Sequence, residues 1–195
     1  MDAASSVDPF SLAGAVLRAG VRLLQYRAKT GVDPGVVRRL VGMTRAHGAL
    51  LVVNDDLEAA MLADGLHAGP EDLVRLGSGL RRRLGDRILG LSCGTPAEVP
   101  AALDEGADYI GAGPFAPTPT KGDAGAPIGR DGVAAVVRAA GGVPVAAIGG
   151  IRAEDLATVA GTGAAMAAVV SAVASAPDPE AAARGLVATW AALAR

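Results

Sequence analysis

The sequence predicts an α/β fold, a (β/α)8 barrel of the TIM type whose first β-strand is missing or not recognisable in this chain. Short apolar runs alternate with amphipathic segments at a period of roughly twenty residues, as strands joined by crossover helices do. The chain has 195 residues and is 51% apolar but only 3% aromatic. Its core must therefore consist of Val, Leu, Ile and Ala, which suits parallel strands covered on both faces.

Seven apolar runs are candidates for strands. They lie at 21–27, 49–55, 65–69, 88–93, 109–114, 143–150 and 164–172. A (β/α)8 barrel needs eight strands, and the chain opens with "MDAASSVD", which has one β-branched residue, ahead of a short helix candidate at 10–20. We therefore expect the first strand to be missing, weakly formed or outside this chain.

Helix start signals separate these runs. Asp33 and Asp178 each precede a proline, the order of an N-cap followed by a proline at the first helical position. Thr95 opens a T-P-x-E capping pattern. Further helix candidates follow at 129–142 and 152–163, and the lone Trp190 of the last helix is interpreted as a packing residue.

Composition excludes several classes of protein. A net charge of −2 gives no basic footprint for nucleic acid, and the single Cys93 excludes an intramolecular disulfide and fits a reducing compartment. The first residues do not form a signal peptide, and the apolar stretches fall short of the roughly 20 residues of a membrane span. We expect one cytoplasmic domain over residues 1–195, with residues 1–9 disordered, and the sequence leaves a homo-oligomer open.

Scarce residue types fall where the predicted strands end. Arginine outnumbers lysine 16 to 2, and asparagine and glutamine occur once each, so a general preference does not explain where these types occur. The scarce residues are Gln25, Lys29, Asn54 and Lys121. Because (β/α)8 barrels carry their active sites at the carboxyl ends of the strands, this end is the predicted site.

The predicted site is chemically polarised. Arg27, Lys29 and Lys121 offer three cationic groups, and Asp55 and Asp72 offer two hard oxygen ligands. Two carboxylates that face a cationic cluster indicate Mg²⁺ bridged to a phosphorylated substrate.

A second anion is expected at the other side of the same end. Thr118 and Thr120 offer hydroxyl groups, and the segments 147–151 and 169–173 follow the last two predicted strands. Barrels of this type often hold phosphate there on backbone N–H groups and a helix N-terminus.

Structural interpretations of these residues stay open. Asp55 and Asp56 could be the N-cap and first-turn acid of the next helix, and Asp72 could cap its own segment. Cys93 fits a small buried residue better than a nucleophile. His47 ends a helix, where a cation offsets the helix dipole.

The motifs resemble the thiamine-phosphate synthase family, within the superfamily that also contains the thiazole tautomerases. They are "QYRAK", "VVNDD", "DGLHAGPEDL", "GPFAPTPTKG", "VAAIGGI" and "AVVSAV", in order from about residue 15 to the end. The resemblance implies a (β/α)8 barrel and a transferase that joins hydroxymethylpyrimidine diphosphate to thiazole phosphate with Mg²⁺, giving thiamine phosphate and diphosphate. It further implies that diphosphate leaves before the thiazole nitrogen attacks, so that no strong side-chain base is needed.

The resemblance also implies roles for individual residues. Asp55 and Asp72 match metal ligands, and Gln25 and Ser92 match contacts around the pyrimidine. The groups that hold the diphosphate, and so act in catalysis, match Arg27, Lys29, Asn54 and Lys121. The cradle for thiazole phosphate matches Thr118, Thr120, Gly150, Val170 and Ser171.

Two departures from the family pattern motivate alternatives. Pro70 stands where the family has glutamine, and the opening strand is not recognisable. One alternative is a thiazole tautomerase-like isomerase, which would need a general acid-base histidine in the loop "GPFAP". The other is a non-catalytic paralogue that binds thiazole phosphate or thiamine phosphate.

Overall fold

A computed structural model of the chain describes residue 1 and residues 7–28, 31–77, 79–118 and 125–193. The strands are β1 Leu23–Tyr26, β2 Leu50–Asn54, β3 Gly65–Ala68, β4 Ile88–Cys93, β5 Tyr109–Ala112, β6 Val145–Ile148 and β7 Met166–Ala168. The helices are α1 Pro9–Arg18, α2 Pro34–Ala46, α3 Leu57–Ala60, α4 Pro70–Leu76, α5 Leu80–Leu84, α6 Val99–Asp104, α7 Gly129–Ala139, α8 Leu156–Ala160, α9 Ser171–Ala174 and α10 Pro179–Leu193.

The strands form one parallel sheet in sequence order, β1 to β7. Each strand pairs with the next, beginning with Leu23 opposite Leu50 and ending with Ile148 opposite Ala168. A strand lies within each of the seven predicted runs, and the alternation of strands and helices is confirmed. The last run, 164–172, is a strand only over Met166–Ala168, because α9 already begins at Ser171. Among the described residues no strand precedes α1, so β1 and β7 are the two edges of a curled seven-stranded sheet.

Alternate residues of each strand serve two different faces. One set packs under the helices in the main apolar core, and it includes Leu24 and Tyr26 of β1, Leu51 and Val53 of β2, Leu66 and Ala68 of β3, Leu89 and Leu91 of β4, and Ile110 and Ala112 of β5. The other set faces inward. Its polar members Gln25, Asn54, His67 and Ser92 lie toward the carboxyl ends of their strands, whereas Tyr109 is the first residue of β5. The period of two thus separates structural positions from candidate functional ones.

Met1 lies against the outer edge of β1. The backbone N–H of Arg27 donates to the carbonyl oxygen of Met1 at 2.9 Å, and the amino group of Met1 donates to the carbonyl oxygen of Gln25. These are the two bonds of a parallel bridge. Because residues 2–6 lie outside the described part of the chain, the disorder expected for residues 1–9 stays a prediction.

Two of the three helix start signals make capping hydrogen bonds. The side chain of Asp33 accepts a hydrogen bond from the N–H of Gly35 at 2.7 Å, and the side chain of Asp178 accepts one from Ala181 at 3.0 Å. Thr95 is the N-cap at which its helical segment begins, as predicted, but its side chain makes no capping bond.

The acid at the end of that pattern caps a different residue. Pro96–Glu98 forms a tight 3₁₀ turn before α6 begins, and the carboxylate of Glu98 reaches back to the N–H of Gly94 at 2.7 Å. Trp190 is half-buried against the apolar core, as its interpretation as a packing residue requires. Within the described ranges, no helix is long and apolar enough to cross a membrane.

Candidate active site

A cavity of about 520 Å³ opens at the carboxyl ends of the strands. All seven strand ends contribute to its lining, as expected for the functional end of a parallel sheet of this kind. Ten predicted site residues line it together: Gln25, Arg27, Asn54, Asp55, Asp72, Ser92, Thr118, Gly150, Val170 and Ser171. The other three predicted residues, Lys29, Thr120 and Lys121, lie outside the described part of the chain.

The end of β2 separates a capping acid from an acid that faces the cavity. Asp56 is the N-cap of α3, and its side chain accepts a hydrogen bond from the N–H of Ala59 at 2.9 Å. Asp55 has a φ of 63°, in the left-handed region that non-glycine residues seldom adopt. Its carboxylate accepts a hydrogen bond from the side-chain amide of Asn54. The capping interpretation therefore belongs to Asp56 and leaves Asp55 for the site.

Asp72 lies beside Asp55 in the first turn of α4. Its carboxylate accepts hydrogen bonds from the N–H of Gly69 at 3.3 Å and from the guanidinium of Arg75 at 3.0 Å. Partial burial would raise the pKa of Asp72, but the hydrogen bonds with Asp55 and Arg75 together hold that pKa below its ordinary value. Pro70 is the first residue of α4, a position where proline costs the helix no hydrogen bond.

The Asp55–Asp72 pair fits a metal that completes its coordination from a substrate. Mg²⁺ is commonly held by one or two carboxylates together with phosphate oxygens and water, rather than by a closed protein cage. Among the described residues, no group of three or more His, Cys, Asp or Glu side chains could hold a metal. Arg75 also donates to the backbone oxygen of Asp55 at 2.6 Å, so one guanidinium ties both acidic segments together.

The proline-rich loop after β5 is anchored on the end of β6. The N–H groups of Phe115 and Ala116 donate to the carbonyl oxygens of Ile148 and Gly149 at 2.8 and 2.9 Å. Gly150 has a φ of 70°, and a Cβ atom there would come within 2.7 Å of two carbonyl oxygens of the loop. Only glycine allows this approach, so the second glycine of "AIGGI" seats the loop in addition to its predicted role with phosphate.

The predicted cradle is assembled around that anchor. Thr118, at the end of the described part of the loop, lines the cavity together with Gly150. Val170 and Ser171 line it from the turn that opens α9, directly after β7. Side-chain hydroxyl groups and backbone from three strand ends thus meet at one wall, and the phosphate-holding role of these residues stays a prediction.

Cys93 is not suited to nucleophilic chemistry. Its side chain is buried at the end of β4. Burial, and to a smaller extent the nearby Glu98 carboxylate, raises the pKa of the Cys93 thiol to about 11. The thiolate is therefore scarce at neutral pH, as the interpretation of Cys93 as a small buried residue requires.

Two residues of the site were given no role by sequence reasoning. His67 and Tyr109 are both buried, and they are hydrogen-bonded beside the side chains of Ser92 and Gln25. Strand alternation was the signal that could have found them, because it places His67 and Tyr109 on the inner face with Ser92. Histidine and tyrosine within strands also fit an ordinary core, so the pattern alone does not distinguish a site residue from a core residue.

Comparison with known proteins agrees with this geometry. A family model described as thiamine monophosphate synthase matches residues 2–173. Thiamine-phosphate synthase of Geobacillus kaustophilus is 42% identical, over 87% of this chain and 80% of that protein. The bifunctional thiamine biosynthesis protein ThiM/ThiE of Symbiobacterium thermophilum is 49% identical over 94% of this chain, which spans only 39% of that longer protein.

Solved structures support the same family. Thiamine phosphate pyrophosphorylase from Pyrococcus furiosus superposes with a TM-score of 0.85 at 30% identity, over 95% of this chain and 91% of that one. A structure titled native KDPGal superposes with a TM-score of 0.71 at 18% identity, which supports the fold alone. Thiamine-phosphate synthases are transferases, and the chain belongs to the thiamine monophosphate synthase family.

Proposed function

We propose that this protein is a thiamine-phosphate synthase, which joins hydroxymethylpyrimidine diphosphate to thiazole phosphate and releases thiamine phosphate and diphosphate. The observation that carries the proposal is the single cavity in which ten of the predicted site residues meet. That cavity combines cationic, carboxylate, amide and hydroxyl groups from all seven strand ends, as a substrate pair with two separate anionic groups requires.

The diphosphate belongs at the side of the cavity formed by β1, β2 and α4. Arg27 and Asn54 line this side. Lys29 and Lys121, which lie outside the described residues, are predicted to act beside them. These groups hold the diphosphate and stabilise the charge that it gains as it leaves. Mg²⁺ bound by Asp55 and Asp72 would neutralise part of the same charge.

The other half of the cavity positions the nucleophile. Thr118, Gly150, Val170 and Ser171 line the wall that would hold thiazole phosphate. Thr120, which lies outside the described residues, is predicted to join them. Gln25 and Ser92 line the same cavity, where they would contact the pyrimidine ring. If diphosphate leaves first, the thiazole nitrogen captures a pyrimidine-methyl cation, and the protein contributes placement of the two rings rather than a strong base.

Further properties remain proposals beside this one. A full (β/α)8 barrel needs a strand between β1 and β7, and the bonds of Met1 to β1 support a strand position there. A single domain over residues 1–195, a cytoplasmic location and a homo-oligomer likewise stay predictions. The tautomerase-like alternative is less favoured, because residues 113–117 offer no histidine as general acid-base.

The direct test mixes the purified protein with both phosphorylated precursors and Mg²⁺ and measures thiamine phosphate. We expect product, with turnover abolished by a chelator. Absence of product from the folded full-length chain would contradict the proposal. Binding of thiamine phosphate by calorimetry without turnover would instead support the non-catalytic paralogue.

Neighbouring aspartates give a matched pair of variants. Asp55→Asn and Asp72→Asn should each lower turnover about a hundredfold, as removal of one group that stabilises the leaving charge does. Lys121→Ala should have a similar effect. Asp56→Asn is the control, because asparagine caps a helix as well as aspartate does and Asp56 does not line the cavity. Equal losses for Asp55→Asn and Asp56→Asn would contradict the metal assignment.

A further inference from the structure

A buried chain of hydrogen bonds joins the two residues expected at the pyrimidine. The hydroxyl oxygen of Tyr109 lies 2.8 Å from Nδ1 of His67. Nε2 of His67 lies 2.9 Å from Oγ of Ser92. Burial raises the pKa of Tyr109, and the side chain of Gln25 lies near enough to its hydroxyl group to oppose that rise by hydrogen bonding. His67 and Tyr109 are only 6% and 7% exposed, so the middle of the order Gln25–Tyr109–His67–Ser92 is buried, whereas Gln25 and Ser92 at its ends line the cavity.

Two glycines make room for this chain of side chains. A Cβ atom on Gly90 of β4 would lie 2.1 Å from the ring of Tyr109, and one on Gly111 of β5 would lie 3.0 Å from the ring of His67. Glycine weakens a strand interior, and it often marks a place where another group approaches closely. Both strands therefore omit a side chain at the point where the two rings lie, with their centroids 5.4 Å apart.

The donors and acceptors inside the network determine which groups Gln25 and Ser92 can offer to a ligand. A neutral imidazole has one N–H donor and one acceptor nitrogen, and burial raises the pKa of Tyr109, so its hydroxyl group keeps its proton. If Tyr109 donates to His67, then His67 donates to Ser92, and Tyr109 accepts from the amide of Gln25. The hydroxyl of Ser92 is then free to donate to a ligand, and the amide oxygen of Gln25 is free to accept.

The opposite direction of the network reverses both ends together. His67 then donates to Tyr109, Tyr109 donates to the amide oxygen of Gln25, and Ser92 donates to His67. Gln25 now presents an N–H donor, and Ser92 presents an acceptor. In either direction the cavity receives at least one donor and one acceptor, which matches the edge of an aminopyrimidine, where an amino donor stands beside a ring-nitrogen acceptor. Among the described residues, no buried side-chain polar atom lacks a partner.

We propose that His67 and Tyr109 are positioning residues, which set the complementary donor and acceptor that Gln25 and Ser92 present to the pyrimidine. This inference rests on the proposed thiamine-phosphate synthase function. It assigns a role to two residues that are not expected to bind the diphosphate, the metal or the thiazole phosphate. Loss of the network should therefore weaken recognition of the pyrimidine diphosphate and leave recognition of thiazole phosphate unchanged.

Tyr109→Phe tests the role, with Tyr26→Phe as the matched control. The chain has two tyrosines, both buried, and Tyr26 lies on the helix-facing side of β1 beside Gln25 but away from the cavity. Loss of the Tyr109 hydroxyl should raise KM for the pyrimidine diphosphate by about fivefold to tenfold, the value of one hydrogen bond, with KM for thiazole phosphate within about twofold. Tyr26→Phe should leave both KM values near those of the wild type.

A protein in which both Gln25 and Ser92 are replaced shows whether Tyr109 acts through these two residues. In a Gln25→Ala, Ser92→Ala protein, Tyr109→Phe should cause no further rise in KM for the pyrimidine diphosphate. An undiminished further rise there would overturn the proposal, and so would equal changes in KM for both substrates. An unchanged KM for the pyrimidine diphosphate in Tyr109→Phe, in a wild type that turns over, would also overturn it.

Failure of the proposed function is recognised separately, because the wild type itself would then make no thiamine phosphate. In that case calorimetry with the pyrimidine diphosphate alone decides about the network. Weaker binding by Tyr109→Phe than by Tyr26→Phe supports the positioning role. Equal affinity of the two variants for this ligand overturns it.

Discussion

The middle of the sheet and its two edges are stabilised in different ways. Every residue of β3 and β5 is buried, and each of these strands pairs on both sides. All three residues of β7 are only half-buried, and within the described ranges β7 and β1 each pair with one neighbouring strand. Backbone ladders therefore fix the middle strands, which carry His67 and Tyr109, whereas the edges depend more on the helices beside them.

We call β1, β7, α1 and α10 the seam. Helix α10 packs against α1, α8 and α9, and Nε of Arg18 donates to the carboxylate of Glu180 at 2.8 Å. These are side-chain contacts, whereas Met1 supplies the backbone contact to the outer edge of β1. The polar site residues can therefore be held firmly by β3 to β5 even though, among the described residues, no strand joins β1 to β7 at the seam.

Replacing one glycine by alanine in each region should give the largest difference in stability between the middle of the sheet and the seam. A Cβ atom on Gly65 of β3 would lie 2.2 Å from the carbonyl oxygen of Ile88, so β3 and β4 would have to move apart. We expect Gly65→Ala to lower the free energy of unfolding by about 3 kcal/mol or more. Gly185→Ala, in the seam helix α10 with nothing within 4 Å of the new atom, should raise it by about 0.5–1 kcal/mol.

Urea unfolding followed through Trp190 fluorescence measures both free energies. The seam helix carries this single tryptophan, so each variant is reported by the same probe. A Gly65→Ala protein as stable as the wild type would contradict this difference between the regions, because it would mean that β3 and β4 can move apart without loss of stability.

Amide hydrogen exchange should give the next largest difference. The amides of β4 are protected by ladders on both sides, whereas β7 has one partner strand and incomplete burial. We expect the slowest amides of β4 to exchange at least about tenfold more slowly than those of β7, since local opening costs less at an edge. Equal protection across all seven strands, measured by NMR, would show that the seam opens only with the whole domain.

The smallest effect is expected at the ion pair of the seam. The hydrogen bond from Arg18 lowers the pKa of Glu180, so the pair stabilises the folded state above the ordinary pKa of glutamate. That contribution is lost as the pH falls through the lowered pKa. Glu180→Gln should therefore cause a slight loss of stability at neutral pH that becomes smaller in acid and at high salt.

Glu154→Gln is the control for that variant. Its carboxylate contacts Arg152 only at 4.0 Å, and both side chains are largely exposed. Urea midpoints compared at neutral pH and near pH 4 give the difference between the two variants. A loss for Glu180→Gln that grows as the pH falls would contradict the assigned sign.

Much of the site could be predicted from residue types that this chain uses sparingly. Gln25 and Asn54 are single occurrences, and strand periodicity placed both at strand ends, where the cavity lies. Thr95 shows the limit of local patterns: its capping motif is present, yet the tight turn directs Glu98 to Gly94 instead. A motif fixes which groups are available, but the backbone path decides which of them meet.

The sequence by itself determined the seven parallel strands, the layer of helices and the end of the sheet that carries the chemistry, because hydrophobic period and strand ends are local properties. Only the tertiary structure decided that Asp56 caps α3 while Asp55 faces Asp72, and that Gly90 and Gly111 make room for His67 and Tyr109. The first is a choice between two adjacent residues, Asp55 and Asp56. The others are contacts between residues that are distant in the chain. They depend on the register of neighbouring strands and on backbone angles, which residue types alone do not specify.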